Sequence, residues 1–117
     1  MPKPTFSLEV KPFEAKKLIA YQDGSVVSRE ILATQNTTIT LFAFAQGQGL
    51  SEHTTPFNAL MQILDGEAHI TIGRDEHMVK AGEIIIAPAN TPHALKASKA
   101  FKMMLTMARD PKPPSTE

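Results

Sequence analysis

The chain has no cysteine and no tryptophan, only one tyrosine, and no excess of either charge, with twelve acidic and twelve basic residues among 117. Without cysteine there are no disulfides and no thiolate metal sites. That suits a reducing compartment and leaves histidine, carboxylate and water as the available metal donors. With no net positive charge and no block of like charge, nothing supplies the counterion release that drives binding to a polyanion, so nucleic acid is not an expected partner. No apolar run approaches the roughly 20 residues needed to span a bilayer, and Met1-Pro2-Lys3-Pro4 lacks the apolar stretch of a secretion signal. A cytoplasmic protein that does not engage membranes is expected. Long stretches of helical period are also missing.

What is present is a series of short, punctuated segments of β character. A chain of this length forms one domain and buries roughly 65% of the surface its unfolded form exposes. That domain is expected over 6–109, between a mobile N-terminus, 1–5, and a mobile proline-rich tail, 110–117. A short helical or irregular segment is expected over Pro12 to Ala20, and alternation begins at Ser25 and continues to Leu32. Thr38 to Phe44 is dense in β-branched and aromatic residues and is broken by Gly47 and Gly49. Ala59 to Leu64 and Ala68 to Ile72 read as two strands joined by a tight hairpin at Asp65-Gly66, since glycine accepts positive φ without steric cost. Period two places Ala68, Ile70 and Ile72 inward and His69 outward. His77 to Lys80 reads as a short strand, Ala81-Gly82 as a turn before Ile84-Ile85-Ile86, and Phe101 to Met107 as the last strand. Many short strands with Gly, Pro and Asn between them predict an all-β sandwich or barrel.

Two histidines stand out. His53 lies in Gly47-Gln48-Gly49-Leu50-Ser51-Glu52-His53-Thr54-Thr55-Pro56-Phe57-Asn58-Ala59, which runs on to Gly66. His93 closes Gly82-Glu83-Ile84-Ile85-Ile86-Ala87-Pro88-Ala89-Asn90-Thr91-Pro92-His93. In spacing, the two stretches resemble the paired motifs of the cupin superfamily, and the resemblance covers about Val26 to Met107. It implies a double-stranded β-helix, or jelly-roll barrel, of the small single-domain bacterial kind, in a subgroup with no settled role. It also implies that His53 and His93 occupy two positions of the family's metal shell, with the other two falling on Thr55 and Ala59. Alanine cannot coordinate and a neutral threonine hydroxyl is a poor ligand, so any metal there would rest on two neutral imidazoles. Glu52, next to His53, should face the opposite way in an extended chain. Asn90 stands where the family has glycine and tolerates left-handed backbone geometry, and Ala97 stands at the closing asparagine.

The function read from these residues is small-molecule binding in the barrel mouth, with His53, Thr55 and His93 as polar anchors and Met61 and Phe44 as apolar walls. The ligand is unspecified. An alternative is a metal-dependent oxygenase or isomerase holding Zn, Mn, Fe or Ni on His53 and His93, with water or substrate in the open positions. A third is a non-catalytic interaction or scaffold protein. Met103, Met104, Met107 and Phe101 read as ordinary core, Asp65 and Asp75 as turn formers, and His77, Arg74 and Lys80 as solvated surface. A homodimer is expected from the resemblance, with Ser25 to Leu32 available for exchange or sheet extension.

Overall fold

Apolar and polar residues alternating at period two give the chain strands with one face to bury, and two such layers close on each other. The computed structural model describes residues 5–6 and 8–110. Among them are nine strands: β1 (Thr5–Phe6), β2 (Val26–Ala33), β3 (Thr37–Phe44), β4 (Gly49–His53), β5 (Asn58–Ile72), β6 (Asp75–Lys80), β7 (Ile84–Ala87), β8 (His93–Lys96) and β9 (Phe101–Ala108). Every pairing is antiparallel, in one layer ordered β1-β2-β3-β9-β5-β7 and another ordered β6-β5-β8-β4. The architecture is the curled, all-β jelly-roll barrel expected from the spacing of the two motifs.

β5 belongs to both layers, which corrects the hairpin expected at Asp65-Gly66. Its first half pairs with β7 and β9 and its second half with β6 and β8, so the halves pair with other strands and not with each other. The chain turns this corner through a bulge between Ile63 and Asp65 and a left-handed Gly66, φ 73°. A Cβ at Gly66 would press on the carbonyl oxygen of Ala100 and sit 3.2 Å from Phe101 Cα, so the corner also requires a close approach of β9.

The inner faces meet in one core. Ala59, Met61 and Ile63 point inward from β5, Phe44 from β3, Phe101 and Met103 from β9, and Leu95 from β8, all buried. Phe44 stacks on Phe101 with ring centroids 4.5 Å apart. Each of these side chains larger than alanine contributes about 1.5–3 kcal/mol of burial. His69 is half-buried on the face opposite Ala68 and Ile70, and Arg74, His77 and Lys80 are exposed.

A second, smaller core lies on the outer face of the first layer, where Ile19 covers Leu41 and Ala43. The covering segment contains a single 3-10 turn, Ala15–Lys17. It is fastened by the Tyr21 hydroxyl, which donates to Asp65 Oδ2 at 2.6 Å, and by Lys102 Nζ, which donates to the Lys16 carbonyl at 2.8 Å. Asp65 is therefore an anchor for this strap and not only a corner residue. Burial first, then the hydrogen bond and charge of Asp65, push the Tyr21 phenol well above its ordinary value. The termini expected to be mobile lie outside the described residues, except Thr5, which pairs with Ala33, and Asp110. Among the described residues no helix is long and apolar enough to cross a membrane.

Candidate functional site

His53 ends β4 and His93 begins β8, and the two are direct cross-strand partners. Strict alternation from the inward Leu50 would aim His53 outward. Between Leu50 and His53, however, β4 spends three steps against two on β8, from Leu95 to His93. This bulge re-aims His53 to the inner side, a common use of bulges beside functional sites. On the other strand, Asn90 takes φ 62°, the left-handed geometry allowed for by its identity, just before Pro92 and His93.

The ring centroids of His53 and His93 are 4.3 Å apart, with their planes at 58°. Each Nδ1 faces a backbone carbonyl: His53 Nδ1–H donates to Ser51 O at 2.7 Å, and His93 Nδ1–H to Thr91 O at 3.0 Å. A carbonyl can only accept, so each neutral ring carries its proton on Nδ1 and leaves Nε2 as an acceptor. His53 is exposed, while His93 is 6% exposed. Among the described residues no buried polar side-chain atom lacks a partner.

The rim around this pair is tied together by backbone bonds. Thr55 O accepts from Asn90 N at 2.8 Å, and Asn58 Oδ1 accepts from Ala89 N at 2.9 Å, joining the loops that follow β4 and β7. The Thr55 hydroxyl is engaged with the backbone N and O of Phe57, both at 3.2 Å. Arg109 lies 5.1 Å over the ring of Phe57. These two are rim residues that sequence reading missed. They are 52 positions apart, and only the pairing of Asn58 with Ala108 brings them together.

The other candidates fall at different depths. Ala59 is buried, and in register it lies beside Ala87 and Met107 near the mouth. Met61 is one layer deeper and 1% exposed. Phe44 is fully buried at the Gly66 end of β3 and β9, away from the histidines, so it is a core side chain and not an open wall. Glu52 is exposed, as expected of a neighbour pointing away from the inner face. Among the described residues no group of three or more His, Cys, Asp or Glu converges on one point. Two imidazoles with Thr55 and Ala59 beside them do not make a full protein shell for a divalent ion.

The jelly-roll barrel and the histidine pair at its mouth define a small cupin. A cupin-domain family model matches residues 40–108, and the chain belongs to the cupin family. It is similar to a conserved protein of unknown function from Streptococcus pyogenes, 30% identical over 96% of this chain and 98% of that one, with a TM-score of 0.87. It is also similar to a cupin superfamily protein from Desulfitobacterium hafniense, 27% identical over 93% and 100% of the two chains, with a TM-score of 0.85. A cupin 2 conserved barrel domain protein from Leptotrichia buccalis is 36% identical over 80% of this chain and 46% of that one, with a TM-score of 0.78. No curated protein matches the sequence.

Proposed function

We propose that this chain is a cytoplasmic, homodimeric cupin that binds a small molecule at the barrel mouth, with His53 and His93 as its polar anchors. The observation that carries this reading is the adjacency of two imidazoles, each fixed through Nδ1 to a backbone carbonyl, so that Nε2 is the ring nitrogen each has left for a ligand. Thr55 shapes the rim through its turn with Phe57, and Met61 forms the floor beneath. Phe44 contributes by holding the far end of the barrel packed. A ligand held here spends most of its surface on apolar side chains and is oriented by few polar groups, the usual balance of small-molecule sites.

The Nδ1 contacts also favour a second reading, a metal-dependent oxygenase or isomerase. Metal-binding histidines ordinarily donate their other ring N–H to a carbonyl, and both rings here do. A divalent ion such as Zn, Mn, Fe or Ni would then sit on the two Nε2 atoms, with water or substrate supplying the remaining ligands. Elemental analysis by mass spectrometry separates the two readings. The protein is purified without chelator or histidine tag, beside the His53→Ala, His93→Ala double variant. Metal-free protein stabilised in a thermal-shift screen of small acids, sugars and aromatics, with the shift lost in the double variant, supports the binder. Near-stoichiometric metal that the double variant loses moves the assignment to the enzyme.

A further inference from the structure

Arg109 is a rim residue that the histidine pair does not use. Its amide donates to the Asn36 carbonyl at 3.1 Å, which carries the β3–β9 ladder one residue past the pairing of Thr37 with Ala108. Period two therefore returns Arg109 to the face that Met107 takes opposite the buried Ala59, the inner face of the first layer. Its guanidinium lies there 5.1 Å over the ring of Phe57. A guanidinium held against a ring face is oriented without using its N–H donors, which stay available to an acceptor in the mouth. Among the described residues no carboxylate makes an ion pair with Arg109. Glu30 also faces inward, opposite Thr40, but it lies deeper along β3 and has a contact of its own.

The inner faces beneath this rim are apolar and incompletely covered. Leu105 and Met107 on β9, Ile72 on β5 and Leu50 on β4 are each only half-buried, and Ile72 is the direct cross-strand partner of His93. The mouth thus carries three kinds of group: a cation on the lip of the first layer, apolar side chains below it, and two Nε2 acceptors on the second layer.

We propose that the molecule bound here is a carboxylic acid with an apolar body and a hydroxyl donor. Arg109 takes the carboxylate, Met107, Leu105 and Ile72 take the body, and His53 or His93 accepts the hydroxyl proton at Nε2. The inference rests on the small-molecule reading and adds the charge and donor pattern of the ligand. A carboxylate fits because its two oxygens match the planar fork of a guanidinium, and Phe57 holds that fork in place. A hydroxyl fits because both rings are tied through Nδ1–H to backbone carbonyls, which makes Nε2 an acceptor and not a donor. Arg109 is the specificity-determining residue in this arrangement, and Phe57 positions it.

Three probes of one shape separate these contacts: para-hydroxybenzoate, para-hydroxybenzamide, which lacks the charge, and benzoate, which lacks the donor. Isothermal titration calorimetry on the full chain, at neutral pH and low salt, should find para-hydroxybenzoate bound about tenfold tighter than the amide and about fivefold tighter than benzoate. The acid-to-amide ratio should shrink as salt is raised, because Arg109 is exposed. Arg109→Gln should bring that ratio to about one, and Arg109→Lys should keep part of it, since the charge survives without the fork. The His53→Ala, His93→Ala double variant should instead erase the preference over benzoate. Acid and amide bound alike by the wild type, or a preference that survives Arg109→Gln, overturns the inference; the small-molecule reading then stands if the double variant still loses binding. A double variant that binds all three probes as the wild type does overturns both. No binding of any probe at millimolar concentration overturns this ligand class. Should Arg109→Gln fail to fold, the wild-type acid-to-amide ratio and Arg109→Lys decide.

Discussion

Three glycine-to-alanine substitutions separate the two reasons this barrel needs glycine. Gly73 has φ 63°, and a Cβ there would meet nothing within 4 Å, so Gly73→Ala incurs only the left-handed backbone cost of roughly 1–2 kcal/mol, reduced by about 0.4–1 kcal/mol of lost unfolded-state entropy. Gly49 lies outside the left-handed region, but a Cβ would press on the carbonyl oxygen of Leu95 and lie 3.3 Å from Lys96 Cα. Gly49→Ala should therefore cost about 1–3 kcal/mol as an overpacking event with no soft side chain to yield. Gly66 combines both conditions, φ 73° and backbone atoms of Ala100 and Phe101 in the way, so Gly66→Ala should cost about the sum, roughly 3 kcal/mol. For a 117-residue chain one kcal/mol corresponds to about 4 °C in Tm, so the expected drops are roughly 3 °C, 8 °C and 11 °C. Calorimetry or circular dichroism at one fixed protein concentration reads them, since dimerisation would otherwise move Tm by mass action. Gly66→Ala melting within 2–3 °C of Gly73→Ala would refute the close approach of β9 at the corner. Because Gly49 sets the distance of β4 from β8, Gly49→Ala should also weaken ligand binding at the histidine pair, whereas Gly73→Ala should not.

The remaining predictions concern the strap, the core and the site. Folding raises the Tyr21 phenol above its unfolded value. Its contribution is therefore complete below about pH 10 and is lost as pH climbs through the folded value, with a limiting slope near 1.4 kcal/mol per pH unit that solvent around the half-exposed ring reduces. Denaturation of Tyr21→Phe beside wild type from pH 8 to 11 should show a flatter alkaline decline, and identical slopes would mean that burial and the Asp65 contact do not raise the Tyr21 phenol. Phe101→Ala removes a fully buried ring stacked on Phe44 and should cost about 3–5 kcal/mol in urea denaturation; a loss below 1 kcal/mol would mean the closed end of the barrel is not tightly packed. His53→Ala should leave the apo melting temperature within about 2 °C, because the ring is exposed and bonds only its own strand at Ser51, on the usual scale of surface substitutions. A large apo destabilisation would make His53 a structural residue.

Much of the fold was legible because period-two alternation is a local property. The inward set Ala59, Met61 and Ile63 follows from parity alone, and so does the shared face of Phe42 and Phe44, whose rings lie 5.8 Å apart. Asn90 could be read as left-handed because few residues other than glycine tolerate that geometry. The pairing of His53 with His93 was legible only through the family spacing. Within β4, plain alternation from Leu50 would have turned His53 outward, and the bulge that corrects it exists only against β8. Phe44 looked like a pocket wall because parity says which face a residue takes but nothing about which end of the barrel it occupies.

Local pattern located most of β2, β3, β6, β7 and β9 and the two halves of β5, the turn at Gly82, the exclusion of thiolate chemistry, and, through the family spacing, the two histidines as the polar residues of interest; it did not locate β1, β4 or β8. Tertiary structure alone decided that β5 crosses between layers, that Tyr21 and Asp65 strap the N-terminal segment over Leu41 and Ala43, and that Phe57 and Arg109 share the rim. The physical reason is range: side-chain direction is set by each residue's own backbone and immediate neighbours, whereas register, bulges and depth depend on which distant strand lies alongside, and the chain settles that only when both layers close on one core.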